Sequence, residues 1–167
     1  GPIHLAVDEH REIAQVLTSG GLQFLDLVSR QPIPTDLPAD LENKRFTAMA
    51  HGGSSVPRYA VGTAEGEILL LKIGTTTEFS SSGERRKRPM IRAGRPISLN
   101  KGPIAKLAYR FNDRESMAAI VSQQGELILV RLPADDLSDI DPVITVLPKP
   151  TNAVSALALD GSLENLY

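Results

Sequence analysis

The sequence predicts an all-β chain, and three observations carry that prediction. A half-apolar strand, a glycine turn and a nearly all-apolar strand recur as Ile13–Leu27, Tyr59–Ile73 and Met117–Leu132. With Gly20, Gly66 and Gly125 in register, Leu22/Leu25, Ile68/Leu71 and Leu127/Val130 fall at matching positions. Glycine takes positive φ at little cost, so each repeat reads as a hairpin. Second, short strands rich in small residues (Ala48 and Ala50, Ala105 and Ala108, Ala156 and Ala158) open units near Phe46, Ile104 and Ala153. Those openings recur at roughly 50-residue intervals, the length of a four-stranded unit with insertions. Third, each hairpin is followed by a further extended stretch suited to an outer strand: Arg30–Thr35, Arg85–Ile91 and Val143–Leu147.

Alanines in the opening strands suit a place where backbones converge around an axis, so the units read as blades of a propeller. The sequence predicts a partial β-propeller of about three four-stranded antiparallel blades, 3–40, 46–99 and 104–148, plus the first strand of a truncated fourth from 153. The alternative is a β-sandwich of about twelve strands, because pattern fixes topology loosely. A closed propeller takes four to eight blades. Three and a fraction leave an open arc, whose exposed end faces favour self-association.

In order, Ile3–Val7 is a first short strand and Asp8–Glu12 a charged turn before the first hairpin. Arg30–Thr35 carries two prolines, as edge strands do. Asp36–Arg45 is a polar connection with room for one helical turn but no apolar stripe. Phe46–His51 opens the second unit, Gly52–Pro57 is a loop, and the second hairpin runs on through the threonines to Phe79. Ser80–Glu84 turns the chain into the cationic outer strand, Pro96–Leu99 closes the unit, and Gly102–Pro103 breaks it. Ile104–Arg110 opens the third unit, Asn112–Glu115 is a turn, and Pro133–Asp141 is an acidic loop before Val143–Leu147. Ala153–Leu159 begins a fourth unit, and 161–167 (ending Glu164–Tyr167) reads as a linker and tag remnant.

Composition narrows the function classes. The 167 residues are 41% hydrophobic and 23% charged with a net charge of −2, which gives no general attraction to nucleic acid or anionic lipid. With no Cys there is no disulfide framework and no thiolate chemistry. No apolar run reaches the length that spans a bilayer as a helix.

The densest charge feature is Glu84 followed by Arg85, Arg86, Lys87 and Arg88. These four cations form the candidate anion- or partner-binding patch, set against the plainer reading of an edge strand guarded by charge. A docking role suits them better than a phosphate pocket, which needs converging backbone donors. The three Tyr and four Phe do not interleave with the patch, as single-strand nucleic-acid binding would require.

No metal site and no cofactor are expected. His4, His10 and His51, with Asp8, Glu9 and Glu12, show no metal-ligand spacing. Asp135, Asp136, Asp139 and Asp141 lack the glycine bend and bidentate Glu of a calcium loop. Gly20–Gly21 and Gly62–Gly66 lead into strands rather than the helix that a phosphate cradle needs. Ser54, Ser55 and Ser80–Ser82 have no His or Asp in a nucleophile-elbow context. No catalytic residue is assigned, and the chain reads as non-enzymatic.

The stretch Ile3–Ala14 with Gly20–Leu27 resembles the start of the periplasmic WD40-like insert of PstC-like bacterial phosphate ABC-transporter permeases. Gly66–Ile73, Thr75–Phe79 and Arg92–Leu99 also look like that region, and the resemblance runs over most of 3–160. It implies an extracytoplasmic, non-catalytic module at the periplasmic face of the inner membrane, in a membrane-embedded parent. It further implies a protein partner, another transporter subunit or the substrate-binding protein, alongside self-association. The Trp-Asp signature of eukaryotic WD40 repeats is missing, since the chain has no Trp.

Overall fold

The computed structural model describes residues 2–53, 57–135 and 137–167. Ser54, Ser55 and Asp136, weighed above, lie outside the described residues. The described chain forms three antiparallel sheets in sequence order. The first has the order β1 (Pro2–Asp8), β2 (Ile13–Thr18), β3 (Gly21–Asp26) and β4 (Pro32–Ile33). A single 3₁₀ turn, Ala39–Leu41, leads to the second: β5 (Phe46–His51), β6 (Arg58–Thr63), β7 (Glu67–Phe79) and β8 (Arg85–Ala93). The third is β10 (Ile104–Phe111), β11 (Glu115–Ser122), β12 (Leu127–Pro133) and β13 (Val143–Leu147). All-β architecture, sheet number and strand order agree with the sequence reading.

The second sheet gains a fifth strand. β7 has 13 residues, too long for one partner: β8 pairs with Leu71–Phe79, and β9 (Ile97–Ser98) pairs with Glu67 and Ile68.

The sheets stack face to face in two successive cores. Ile13, Leu17, Leu22 and Phe24 of the first sheet meet Met49, Val61, Leu69, Leu71 and Ile73 of the second. From the other face of the second sheet, Ala48, Ala60, Ile68 and Leu70 meet Ile104, Tyr109, Ala118, Ile120, Ile128 and Val130 of the third. The middle sheet is covered on both sides, which explains the unbroken apolar run Ile68–Leu71: its successive residues point alternately into the two cores. Burying each large side chain contributes about 1.5–3 kcal/mol.

Small residues set the spacing between the second and third sheets. A Cβ built on Gly62 would lie 2.6 Å from Ile104 Cγ2 and 2.7 Å from its Cβ. Gly66 turns the β6–β7 hairpin at φ +78°, and a Cβ there would meet the Gly102 carbonyl oxygen at 2.6 Å. These glycines are needed for close approach as much as for the turn.

The two ends of the stack differ. Leu5 and Val7 of β1 stay exposed. On the third sheet, Ala108, Met117 and Ala119 are covered by Leu159 and Leu163. The stretch from 153, expected to open a fourth sheet, forms no strand ladder. It has no regular structure apart from an isolated antiparallel bridge of Leu159 to Leu166. With no further strand beside it, this segment satisfies its apolar residues by folding back on the third sheet. Asp160 pins the fold-back: its carboxylate accepts from the backbone of Glu164 and Asn165 and from the Ser162 and Asn165 side chains. The Asn165 and Ser162 hydrogen bonds hold its pKa down to about 2.

Candidate functional site

The cationic strand β8 forms, with the end of β7, a ribbon in which Phe79 pairs with Arg85, Glu78 with Arg86, Thr77 with Lys87 and Thr76 with Arg88. The four cations do not act alike. Lys87 leaves the solvent: its side chain is 9% exposed, and its Nζ donates to Glu12 (3.0 Å) while lying 3.2 Å from the Asp26 carboxylate. Both carboxylates belong to the first sheet and its turns, so Lys87 ties the second sheet to the first. Burial works against its ammonium, but the bonds to Glu12 and Asp26 outweigh this and raise its pKa above the ordinary value. Asp26 lies below the ordinary carboxylate range because the Ser29 N–H donates to it, with Lys87 and the Val28 N–H adding to the effect against burial.

Arg85, Arg86 and Arg88 remain exposed. Arg88 lies 3.1 Å from Glu78 and 3.6 Å from Asp36, and Arg86 lies 3.3 Å from Glu84. Beside Arg88 runs an open groove of about 750 Å³, with Lys72, Arg92, Asp36 and Glu78 as its charges and Ile73, Met90 and Ile91 as its apolar floor. Alternating signs over apolar ground suit a protein surface better than a small anion.

A second open cleft, about 1010 Å³, runs along β1 and is lined by His4, His10, His51, Tyr59, Asp8 and Arg11. The sequence reading kept the three histidines apart; the fold brings all of them to this cleft. Spacing along the chain carried no signal for that, because His51 arrives from the second sheet. Burial lowers the pKa of His4, and the His51 ring packs tilted against Tyr59 with centroids 4.9 Å apart. The Asp8 carboxylate accepts from Arg11 Nη1 at 2.6 Å. Among the described residues no three His, Cys, Asp or Glu side chains are grouped so as to hold a metal ion. Nor is any helix of the described residues long and apolar enough to cross a membrane.

Charges also bind the second sheet to the third. The Arg58 guanidinium lies 4.4 Å above the Phe111 ring and donates to the Ala134 carbonyl at 2.9 Å. Lys72 donates to Asp135 at 3.2 Å, and Arg95 pairs with Asp141. Sequence reasoning missed these inter-sheet ties, since each joins residues more than 40 positions apart.

With this geometry in hand, the chain can be set beside known proteins. The β-propeller domain of Cps50 (Swd1) from Myceliophteria thermophila is similar over 92% of this chain, with a TM-score of 0.51 and 13% identity. The fold is a β-propeller arc. The WD40 domain of SCAP from fission yeast is similar over 93% of the chain, with a TM-score of 0.49 and 12% identity. This chain spans 39% of the first domain and 34% of the second, so the arc corresponds to little more than a third of either. No protein-family model and no curated protein matches the sequence. Across the described residues the arc does not close into a ring, which fits three sheets where a ring takes at least four.

Proposed function

We propose that the chain is a non-catalytic protein-contact module that presents a rigid β surface to a partner. The observation that carries this reading is the β7–β8 ribbon with its groove: exposed Arg85, Arg86 and Arg88 beside Met90 and Ile91, on strands fixed by a core. Lys87 serves the fold, so the contact patch reduces to the three arginines. Such a surface, charged at its rim and apolar at its floor, is what protein interfaces use.

For its setting we propose the periplasmic face of a bacterial phosphate ABC-transporter permease, with another transporter subunit or the substrate-binding protein as partner. The resemblance of Ile3–Leu27 and Arg92–Leu99 to that insert supports this. A WD40-like interaction scaffold unrelated to transport is the second reading, favoured by the likeness to the Cps50 propeller domain.

The test is titration calorimetry of the chain against the purified substrate-binding protein, with Arg85→Ser/Arg86→Ser/Arg88→Ser as the variant and inorganic phosphate as a separate titrant. Binding that the variant loses, with no heat from phosphate alone, supports the module and its setting. Absence of binding to any transporter component sinks the setting. Saturable phosphate binding to the chain alone sinks the protein-contact reading of the patch.

A further inference from the structure

The outer edges of the three sheets are protected unequally. β4 is two residues long and sits in the run Gln31-Pro32-Ile33-Pro34. β8 carries Arg85, Arg86, Lys87, Arg88 and Arg92 and holds Pro89. Short length, proline and cations are the standard guards against another chain adding a strand. β13 is five residues long and is bounded by Pro142 and Pro148, but within the strand itself it carries no such guard. It reads Val-Ile-Thr-Val-Leu, without charge or interior proline, and pairs with β12 over all five residues with no register shift. Val143 is 63% exposed, Ile144 44% and Val146 51%. In the sheet order β13 is terminal, so its outer edge has no ladder partner among the described residues.

We propose that β13 is the seat of a two-fold symmetric dimer, in which the outer edges of two copies pair antiparallel and join two four-stranded sheets into one of eight strands. The strand is self-complementary in one register, centred on Thr145. That register sets Val143 opposite Leu147, Ile144 opposite Val146, and Thr145 opposite its own copy, all favourable cross-strand pairs. It also sets Asp141 of each copy, which already pairs with Arg95 of its own chain, opposite Lys149 of the other, an opposite-charge contact at both ends of the interface. Pro142 and Pro148 face each other just outside the ladder. A slip of two residues would set Pro142 against Val146 and break the charge pairing; proline has no N–H to give the ladder, so the prolines enforce the register.

Charge complementarity at the strand ends selects a second copy over an unrelated partner. The inference rests on the protein-contact reading and deepens it by naming one partner. The two fail separately, because the arginine surface on β8 belongs to another sheet and is left free by this dimer.

The test is sedimentation velocity of the whole chain over a concentration series into the hundreds of micromolar. Thr145→Lys, at an exposed position, places two ammonium groups face to face at the two-fold axis. It should weaken the dimer at least about tenfold while leaving the thermal midpoint of the monomer in place. Asp141→Lys should weaken the dimer, and Asp141→Lys/Lys149→Asp should restore it. Because the chain has no Cys, Thr145→Cys should give a covalent dimer under mild oxidation, whereas Thr76→Cys should not. Directly opposed Cα atoms at about 4.5–5.5 Å suit a disulfide. A chain that stays monomeric throughout, or a dimer that Thr145→Lys leaves intact, overturns the proposal.

Discussion

Gly62→Ala is the sharpest probe of how the second and third sheets meet. Its added methyl would lie 2.6 Å from Ile104 Cγ2, 2.7 Å from Ile104 Cβ and 3.0 Å from Ile104 Cγ1. Turning the isoleucine side chain relieves the first and third contacts but not the second, because the Cβ is fixed to the backbone. One sheet must therefore shift. Overpacking of this kind costs about 1–3 kcal/mol, partly offset by the roughly 0.5–1 kcal/mol that alanine gains over glycine in the unfolded chain. The net loss, from near zero to about 2.5 kcal/mol, lowers the thermal midpoint by up to roughly 10 °C for a domain of this size. Ile104→Ala alone costs about 2–5 kcal/mol as a large-to-small change. In the double variant two of the three contacts vanish, so the combined loss should fall short of the sum by at least about 0.5 kcal/mol. Chemical denaturation of all four proteins reads this directly. A Gly62→Ala that stabilises the chain, or strict additivity with Ile104→Ala, would refute the close approach.

Other outcomes follow from the same structure. Leu70→Asp or Ile128→Asp places a charge where neither side chain sees water, and circular dichroism should show an unfolded chain. Lys87→Met should cost about 1 kcal/mol by removing the ammonium shared by Glu12 and Asp26, the latter keeping its Val28 and Ser29 N–H bonds, whereas Arg86→Ser should stay within about 0.5 kcal/mol. Asp26 has a depressed pKa in the folded chain, so its stabilisation is full above the ordinary carboxylate value of about 3.9 and is lost as pH falls through the depressed one. Lys87 has a raised pKa, so its contribution is full below about 10.4 and fades as pH rises beyond. Denaturation midpoints against pH should flatten at the acid end in Asp26→Asn and at the alkaline end in Lys87→Met. Leu163→Asp should expel the C-terminal fold-back, detected as faster amide exchange in 157–167, with the three sheets retained.

What could be read from the sequence was what depends on local chemistry. The three glycine hairpins, the alanine-rich opening strands at Phe46 and Ile104 and the cationic outer strand all lie in a few consecutive residues, and each became the expected element. The nearly all-apolar run Ile68–Leu71 read as a strand, and the structure adds that it is buried on both faces. The contents of the grooves were not legible, because they depend on which sheets become neighbours. Lys87 looked like one of four equivalent surface cations. Only the approach of Glu12 and Asp26 from another sheet separates it from Arg85, Arg86 and Arg88. Replacing the entire run with serine would therefore cost stability through Lys87, whereas the three arginines fit the plainer reading of charges guarding an edge strand. The gathering of His4, His10 and His51 along β1 escaped notice for the same reason. The region after 153 departed from expectation because a strand needs a neighbour, and Leu166 supplied a single bridge in its place.

Methyl–methyl contacts measured by nuclear Overhauser spectroscopy on the intact chain test the radial stack most directly. Ile13, Leu17 and Leu22 should see methyls of Leu69 and Leu71; Ile68 and Leu70 should see those of Ile120, Ile128 and Val130; and the first set should see none of the last. Cross-peaks joining Leu17 or Leu22 to Ile120 or Ile128 would mean that the first and third sheets face each other in two layers, and the arc would be wrong.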